Sequence, residues 1–192
     1  MKLLVVTAVP AERDALAAGS DVIVAGIGTA AAASATSAAL ARDRFDLVIC
    51  AGIAGGFDVP LGTVVIASRV VHADLGVETP DGFEPIGTPA FDVRPDLVAD
   101  LTARTNGVAG PVLTVSTVTG TAATAVALRA RYPDAVAEAM EGFGVATAAA
   151  QHGVPFAEVR AISNAVGPRD RPSWRIPEAL TALGKAFEEI TR

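Results

Sequence analysis

Apolar positions along this chain fall into two rhythms. Short apolar runs, among them Leu3-Leu4-Val5-Val6, Leu47-Val48-Ile49-Cys50-Ala51 and the largely apolar segment 154–162, have the length and branched content of strands. Between them lie longer Ala-rich stretches with helical start and stop signals. The pattern predicts strands over 2–7, 22–25, 46–51, 62–71, 111–117, 135–138 and 154–162, and helices over 10–18, 29–42, 95–105, 121–131, 141–151 and 177–190. Pro10 stands near the first turn of the first helix, where its missing N–H costs nothing. Gly52-Ile53-Ala54-Gly55-Gly56 reads as a loop whose backbone can approach a ligand closely. The segment 74–92, with three glycines and three prolines among its residues, has no periodicity and reads as an excursion. Alternating strands and helices predict one α/β domain over 1–192, three layers deep in α/β/α order, around a largely parallel sheet. In such folds function sits at the strand C-terminal ends. Glu12, the 52–56 glycines, residues 117–119 and Asn164 all fall at such ends.

Composition narrows the partners. At 192 residues the chain is long enough for one full core and short for two. Hydrophobic residues make up 51% and charged ones only 19%, which excludes disorder and a coiled coil. A net charge of −6 and a pI near 4.9 argue against a nucleic-acid partner, because phosphate contacts need a basic surface. Arg169, Arg171 and Arg175, with Asp170 among them, make a local anion site at most. The single cysteine, Cys50, lies inside an apolar strand, so neither a disulfide framework nor a thiolate metal cage is possible. The first residues are too short a run for a signal peptide, and no apolar run reaches membrane-spanning length. These features predict a cytoplasmic protein without a membrane partner.

Several motifs can be weighed directly. Gly26-Ile27-Gly28-Thr29-Ala30-Ala31 matches the GxGxxA form of a dinucleotide fingerprint. The acidic residue that should follow the next strand is missing, since that strand ends Cys50-Ala51-Gly52. A tight strand-to-helix turn is the plainer reading. There is no P-loop and no GxSxG elbow. His72 and His152 have no ligand spacing, so no metal is expected, and His152 before Gly153 fits a helix C-terminus. No cofactor is expected either. Catalysis then falls to carboxylates and amides. Glu141 can either complement a helix dipole or accept two hydrogen bonds from a vicinal diol. Gly142 beside it suits a chain passing close beneath a ligand. Glu12 is one charge on an early helix or a site acid, Asn164 a turn cap or a ligand donor. Trp174 either covers the core or faces a ligand.

Lys2-Leu3-Leu4-Val5-Val6-Thr7-Ala8-Val9-Pro10-Ala11-Glu12, Ala51-Gly52-Ile53-Ala54-Gly55-Gly56, Met140-Glu141-Gly142 and Val159-Arg160-Ala161-Ile162-Ser163 stand in an order that resembles the nucleoside phosphorylase/nucleosidase superfamily. The likeness spans nearly the whole chain and implies that superfamily's three-layer fold with a mostly parallel, mixed central sheet. The tail from Ile162-Ser163-Asn164 through Arg169-Asp170-Arg171 to Trp174 looks most like the hypoxanthine-releasing branch that cleaves futalosine in menaquinone biosynthesis. The resemblance implies that Glu12 orients and deprotonates the attacking water. It implies that Met140 and Glu141 hold the ribose, that Val118 and Thr119 line the base, and that Gly55 skirts sugar and base. It implies a small nucleoside as partner, and a homodimer or higher homo-oligomer with 74–92 as a candidate contact.

Asn164 departs from the methylthioadenosine nucleosidases, which the resemblance places with Asp here. Cleaving an N-ribosidic bond builds positive charge on the ribose and negative charge toward N7 and O6 of a leaving 6-oxopurine. An amide NH₂ can donate to those atoms, whereas a carboxylate better accepts from the 6-amino group of adenine. Asn164 therefore favours hypoxanthine or guanine, with Asp170 a candidate proton source. Glu12 would repel a phosphate nucleophile and the 52–56 loop holds no Arg or Lys, so hydrolysis is expected over phosphorolysis. Arg69, Arg169, Arg171 and Arg175 are candidates for the benzoate arm of such a substrate, surface ion pairing being the alternative for each. A non-catalytic nucleoside sensor or an NAD-binding module are the readings of another class.

Overall fold

The computed structural model describes residues 2–16, 21–87 and 89–192. In chain order its elements are β1 (Leu3–Thr7), α1 (Pro10–Ala15), β2 (Asp21–Val24), α2 (Thr29–Arg42), β3 (Leu47–Gly56), β4 (Val64–His72), β5 (Gly76–Thr79), β6 (Gly82–Pro85), β7 (Ala90–Asp92), α3 (Pro95–Thr105), β8 (Val108–Thr114), α4 (Ala122–Arg131), β9 (Ala137–Ala139), α5 (Gly142–Gln151), β10 (Phe156–Ala165) and α6 (Ile176–Thr191). Every strand and helix expected from the periodicity is present, with ends shifted by a few residues. The first helix, expected to reach Ala18, ends at Ala15 with Leu16 extended as its C-cap, and positions 17 and 18 lie outside the described residues.

The alternation of side chains along each buried strand builds the layers. Leu3, Val5, Leu47 and Ile49 face one way and pack with Leu101 of α3 and Leu183 and Phe187 of α6. Their neighbours Leu4, Val6, Val48 and Cys50 face the other way, onto Ala32 and Leu40 of α2 and Val145 and Ala149 of α5. Each large side chain so buried is worth about 1.5–3 kcal/mol, which explains why runs of large branched apolar residues sit in these strands. A third cluster joins Phe57, Leu113 and Leu128 of α4.

The sheet is mixed. β3 runs parallel to β1 and β10, and β8 parallel to β4 and β9, while β4 is antiparallel to β10 and β7, and β9 to β3. Because β3 pairs with both β9 and β10, the strands β3, β9, β8, β4 and β10 close on one another, and β1 and β2 extend the sheet from β3. Two expectations need correction. The glycine run 52–56 is not a loop: it continues β3, hydrogen-bonded along β10 and at its end to β9. The excursion 74–92 contains the β5–β6 hairpin and the short β7, which pairs with β4. A register shift between Ile162 and Asn164 sets Asn164 opposite Gly55.

Candidate active site

Glu12 lies in the first turn of α1 yet is buried, at 4% exposure. Three backbone N–H groups converge on its carboxylate: Ala8 (2.9 Å) and Val9 (3.2 Å) on Oε2, and Ile53 (2.9 Å) on Oε1. Gly52 is what admits it. A Cβ there would lie 2.4 Å from Glu12 Oε1 and 2.6 Å from Nη1 of Arg160, so any side chain would displace both groups. The glycine run thus serves close approach, as its composition indicates, but the approaching groups are the protein's own charges.

Arg160, in the apolar run of β10, is 1% exposed. Its Nε donates to Glu158 Oε1 at 2.8 Å, and its Nη2 to Glu141 Oε2 at 3.2 Å and to Cys50 Sγ at 3.2 Å. Burial works against its charge, but Cys50, Glu158, Glu141 and Glu12 together push its pKa further up, so it is always a cation. Burial also pushes the Glu158 carboxyl up, with Arg160 pulling the other way, and Glu158 Oε2 has no hydrogen-bond partner among the described residues. The Cys50 thiol is raised by its burial and remains a core residue, as its place in an apolar strand indicates.

Glu141 stands at the N-cap of α5, 5% exposed, with the backbone N–H of Gly28 on Oε1 (3.1 Å) and Arg160 on Oε2. The turn that resembled a dinucleotide fingerprint therefore directs its Gly28 N–H at Glu141. On the Cβ side of Gly142 the close group is Glu158 Oε2, 2.1 Å from a Cβ placed there. Met140, half-buried, accepts from the Thr29 hydroxyl through its carbonyl.

Four residues along, the site changes character. Asn164 is half-buried; its Oδ1 accepts from the Ser163 hydroxyl (2.8 Å) and its Nδ2 donates to the Ala165 carbonyl (3.0 Å). One amide N–H is left over. Gly55 adjoins it, since a Cβ on Gly55 would lie 3.3 Å from Asn164 Nδ2. Thr119 is buried and gives both its N–H (2.9 Å) and its hydroxyl to Glu138, while Val118 is 45% exposed. The tail returns to this end: the Arg169 N–H donates to the Gly120 carbonyl and that of Arg175 to the Ser163 carbonyl. Half-buried Trp174 lies under the guanidinium groups of Arg169 and Arg171, at 5.9 and 5.6 Å. Arg69 is not part of this neighbourhood; it pairs with Asp92 and lines a separate cleft with Pro111 and Asp134. Asp170 is exposed. Among the described residues no group of three or more His, Cys, Asp or Glu could hold a metal, and no helix is long and apolar enough to cross a membrane.

Residues 17–192 match the model of the phosphorylase superfamily. The chain belongs to that superfamily. Futalosine hydrolase of Streptomyces coelicolor is 49% identical over an alignment of 223 positions, covering 99% of this chain and 95% of that protein. Futalosine hydrolase of Thermus thermophilus is 37% identical, covering 86% and 78%. Among solved structures, the methylthioadenosine/S-adenosylhomocysteine nucleosidase of Neisseria meningitidis superposes with a TM-score of 0.86 at 21% identity over 99% of this chain and 98% of that one, a likeness of fold. The superfamily motifs that carry the resemblance are thus joined in space: Glu12, Arg160 and Glu141 in one cluster, Gly55, Asn164 and Thr119 in the next. Sequence reasoning overlooked three members. Arg160 and Glu158 carry a readable signal, two charges at i and i+2 on one face of an otherwise apolar strand. Glu138 carries none, because its partner Thr119 is 19 residues away across a helix.

Proposed function

We infer that this chain is an N-glycosyl hydrolase that cleaves the N-ribosidic bond of futalosine, releasing hypoxanthine and dehypoxanthinyl futalosine. The observation that carries the reading is the amide of Asn164 beside Gly55, in a chain 49% identical over its full length to a futalosine hydrolase. Glu141 accepts hydrogen bonds from the ribose hydroxyls, with Met140 packing on the sugar. Glu12 orients water at the anomeric carbon and takes its proton, a contribution of about 10²–10⁴-fold. The carboxylates around Arg160 stabilise the oxocarbenium-like charge as it develops. Asn164 donates to the purine as negative charge builds on it, while Gly55, Val118 and Thr119 line the base and Trp174 covers the same end. Phosphorolysis is disfavoured because the one cation of the cluster, Arg160, is already committed to two carboxylates. Arg169 and Arg171, held over Trp174, are the candidates for the benzoate arm, with Arg175 next in the tail. The reading includes a cytoplasmic homodimer or higher homo-oligomer in menaquinone biosynthesis. Incubation with futalosine, with and without phosphate, tests it. Free dehypoxanthinyl futalosine is expected in both cases, and a sugar phosphate would overturn hydrolysis.

A further inference from the structure

The mechanism above leaves one buried carboxylate at the base end without a task. Glu138 is 5% exposed in β9, directly opposite Gly55 in the antiparallel β3–β9 pair. Partners in such a pair project to the same face of the sheet. The face of Gly55 is known from its surroundings, because a Cβ there would point at Val166 and at Nδ2 of Asn164. Glu138 and Asn164 therefore project to the same face of the sheet as Gly55, one from β9 and one from β10, with Val166 Cγ2 packed over the glycine. Thr119 holds Glu138 by N–H on Oε1 and hydroxyl on Oε2. One lone pair on each oxygen is left for another donor.

We propose that Glu138 accepts the N1–H of a 6-oxopurine and, with the free N–H of Asn164 directed at the purine oxygen, selects that base over a 6-aminopurine. A lactam offers a donor and an acceptor side by side, N1–H and O6, which a carboxylate and an amide N–H complement. Adenine reverses the pattern: its N1 is an acceptor and would face the carboxylate lone pairs, and its exocyclic group is a donor. A site built to receive a ligand N–H rejects an analogue lacking it strongly, because its own buried group is then unpaired. Burial raises the Glu138 carboxyl, against the two Thr119 bonds that lower it, so the anion gains from a further donor. The backbone N–H of Thr119, given to Glu138, is correspondingly withheld from the base. This inference rests on the reading of the site as a purine nucleosidase and names the residue that sets its base preference.

Binding of hypoxanthine, 1-methylhypoxanthine and adenine to the native chain, measured by calorimetry, tests it without any substitution. Hypoxanthine is expected to bind roughly 100-fold or more tightly than either analogue. Glu138→Gln should lower hypoxanthine affinity about 10–100-fold and narrow its lead over adenine, because the new amide can donate to adenine N1. Equal binding of hypoxanthine and its 1-methyl derivative, no hypoxanthine binding at millimolar concentration, or an unchanged hypoxanthine-to-adenine ratio in Glu138→Gln would each overturn the assignment. If the variant does not fold, the native comparison decides alone. Failure of the proposed function shows differently: futalosine goes uncleaved while the N1–H discrimination stands.

Discussion

At the end proposed to hold the sugar, Glu12, Glu141, Glu158 and Arg160 are all 5% exposed or less, Glu12 held by backbone N–H groups and Glu141 and Glu158 by the Arg160 guanidinium. At the end proposed to hold the base, Asn164 is half-buried with one amide N–H unpaired among the described residues, and Glu138, on the same face of the sheet, is held by Thr119. The first region is built so that charge cannot move: three carboxylates around one cation are tolerable in a core only if each is bonded and fixed. That rigidity suits a step in which the sugar becomes cationic, because preorganised anions need not reorient. The second region is built from groups whose donor and acceptor pattern can be matched or mismatched by a ligand. In the proposed function the first end supplies most of the rate and the second the choice of base.

Substitutions should therefore sort by end. Glu12→Gln keeps the shape but removes the base, and kcat for futalosine should fall about 10²–10⁴-fold with KM little changed. Steady-state kinetics check this, and a fall in KM-dependent terms alone would place Glu12 in binding. Arg160→Met strands Glu141 and Glu158 without their cation, and thermal or denaturant unfolding should show a loss of about 3–5 kcal/mol. A variant as stable as wild type would mean that the cluster is not the sealed unit described. Asn164→Asp acts on leaving-group stabilisation and on choice of base: turnover of futalosine should fall, and fall about 10–100-fold relative to its 6-amino analogue, while stability moves little. An unchanged ratio would remove Asn164 from base recognition.

The smallest effect separates the ends by pH. Burial raises the Glu138 carboxyl above its ordinary 4.5, so the folded chain holds that proton more tightly than the unfolded one. The stability this gives is present in full below the unfolded value and is lost as pH rises through the folded value. Wild type should accordingly lose stability relative to Glu138→Gln as pH rises from below the ordinary carboxyl value of 4.5 through the raised folded value. Unfolding curves of both chains across that range give the sign directly, and a constant difference would mean that Glu138 does not titrate on folding.

The amino-acid sequence by itself determined the element order outside 74–92, the three layers and the chain positions of Glu12, Met140-Glu141 and Asn164. These follow from periodicity and from local joints between strand and helix, which depend on near neighbours. It could not determine what the glycines approach. Gly52 and Gly142 read equally well as contacts to a ligand, and only packing reveals Glu12, Arg160 and Glu158 in those spaces. Nor could it reveal that the 52–56 run is a strand, because β10, more than 100 residues away, supplies the hydrogen bonds that make it one. Glu138 is the clearest case: a carboxylate in a three-residue strand acquires its role from Gly55 and Thr119, both distant in the chain. Tertiary structure decided those pairings because a buried charge is stable only where its partners meet, and the sequence does not list them side by side.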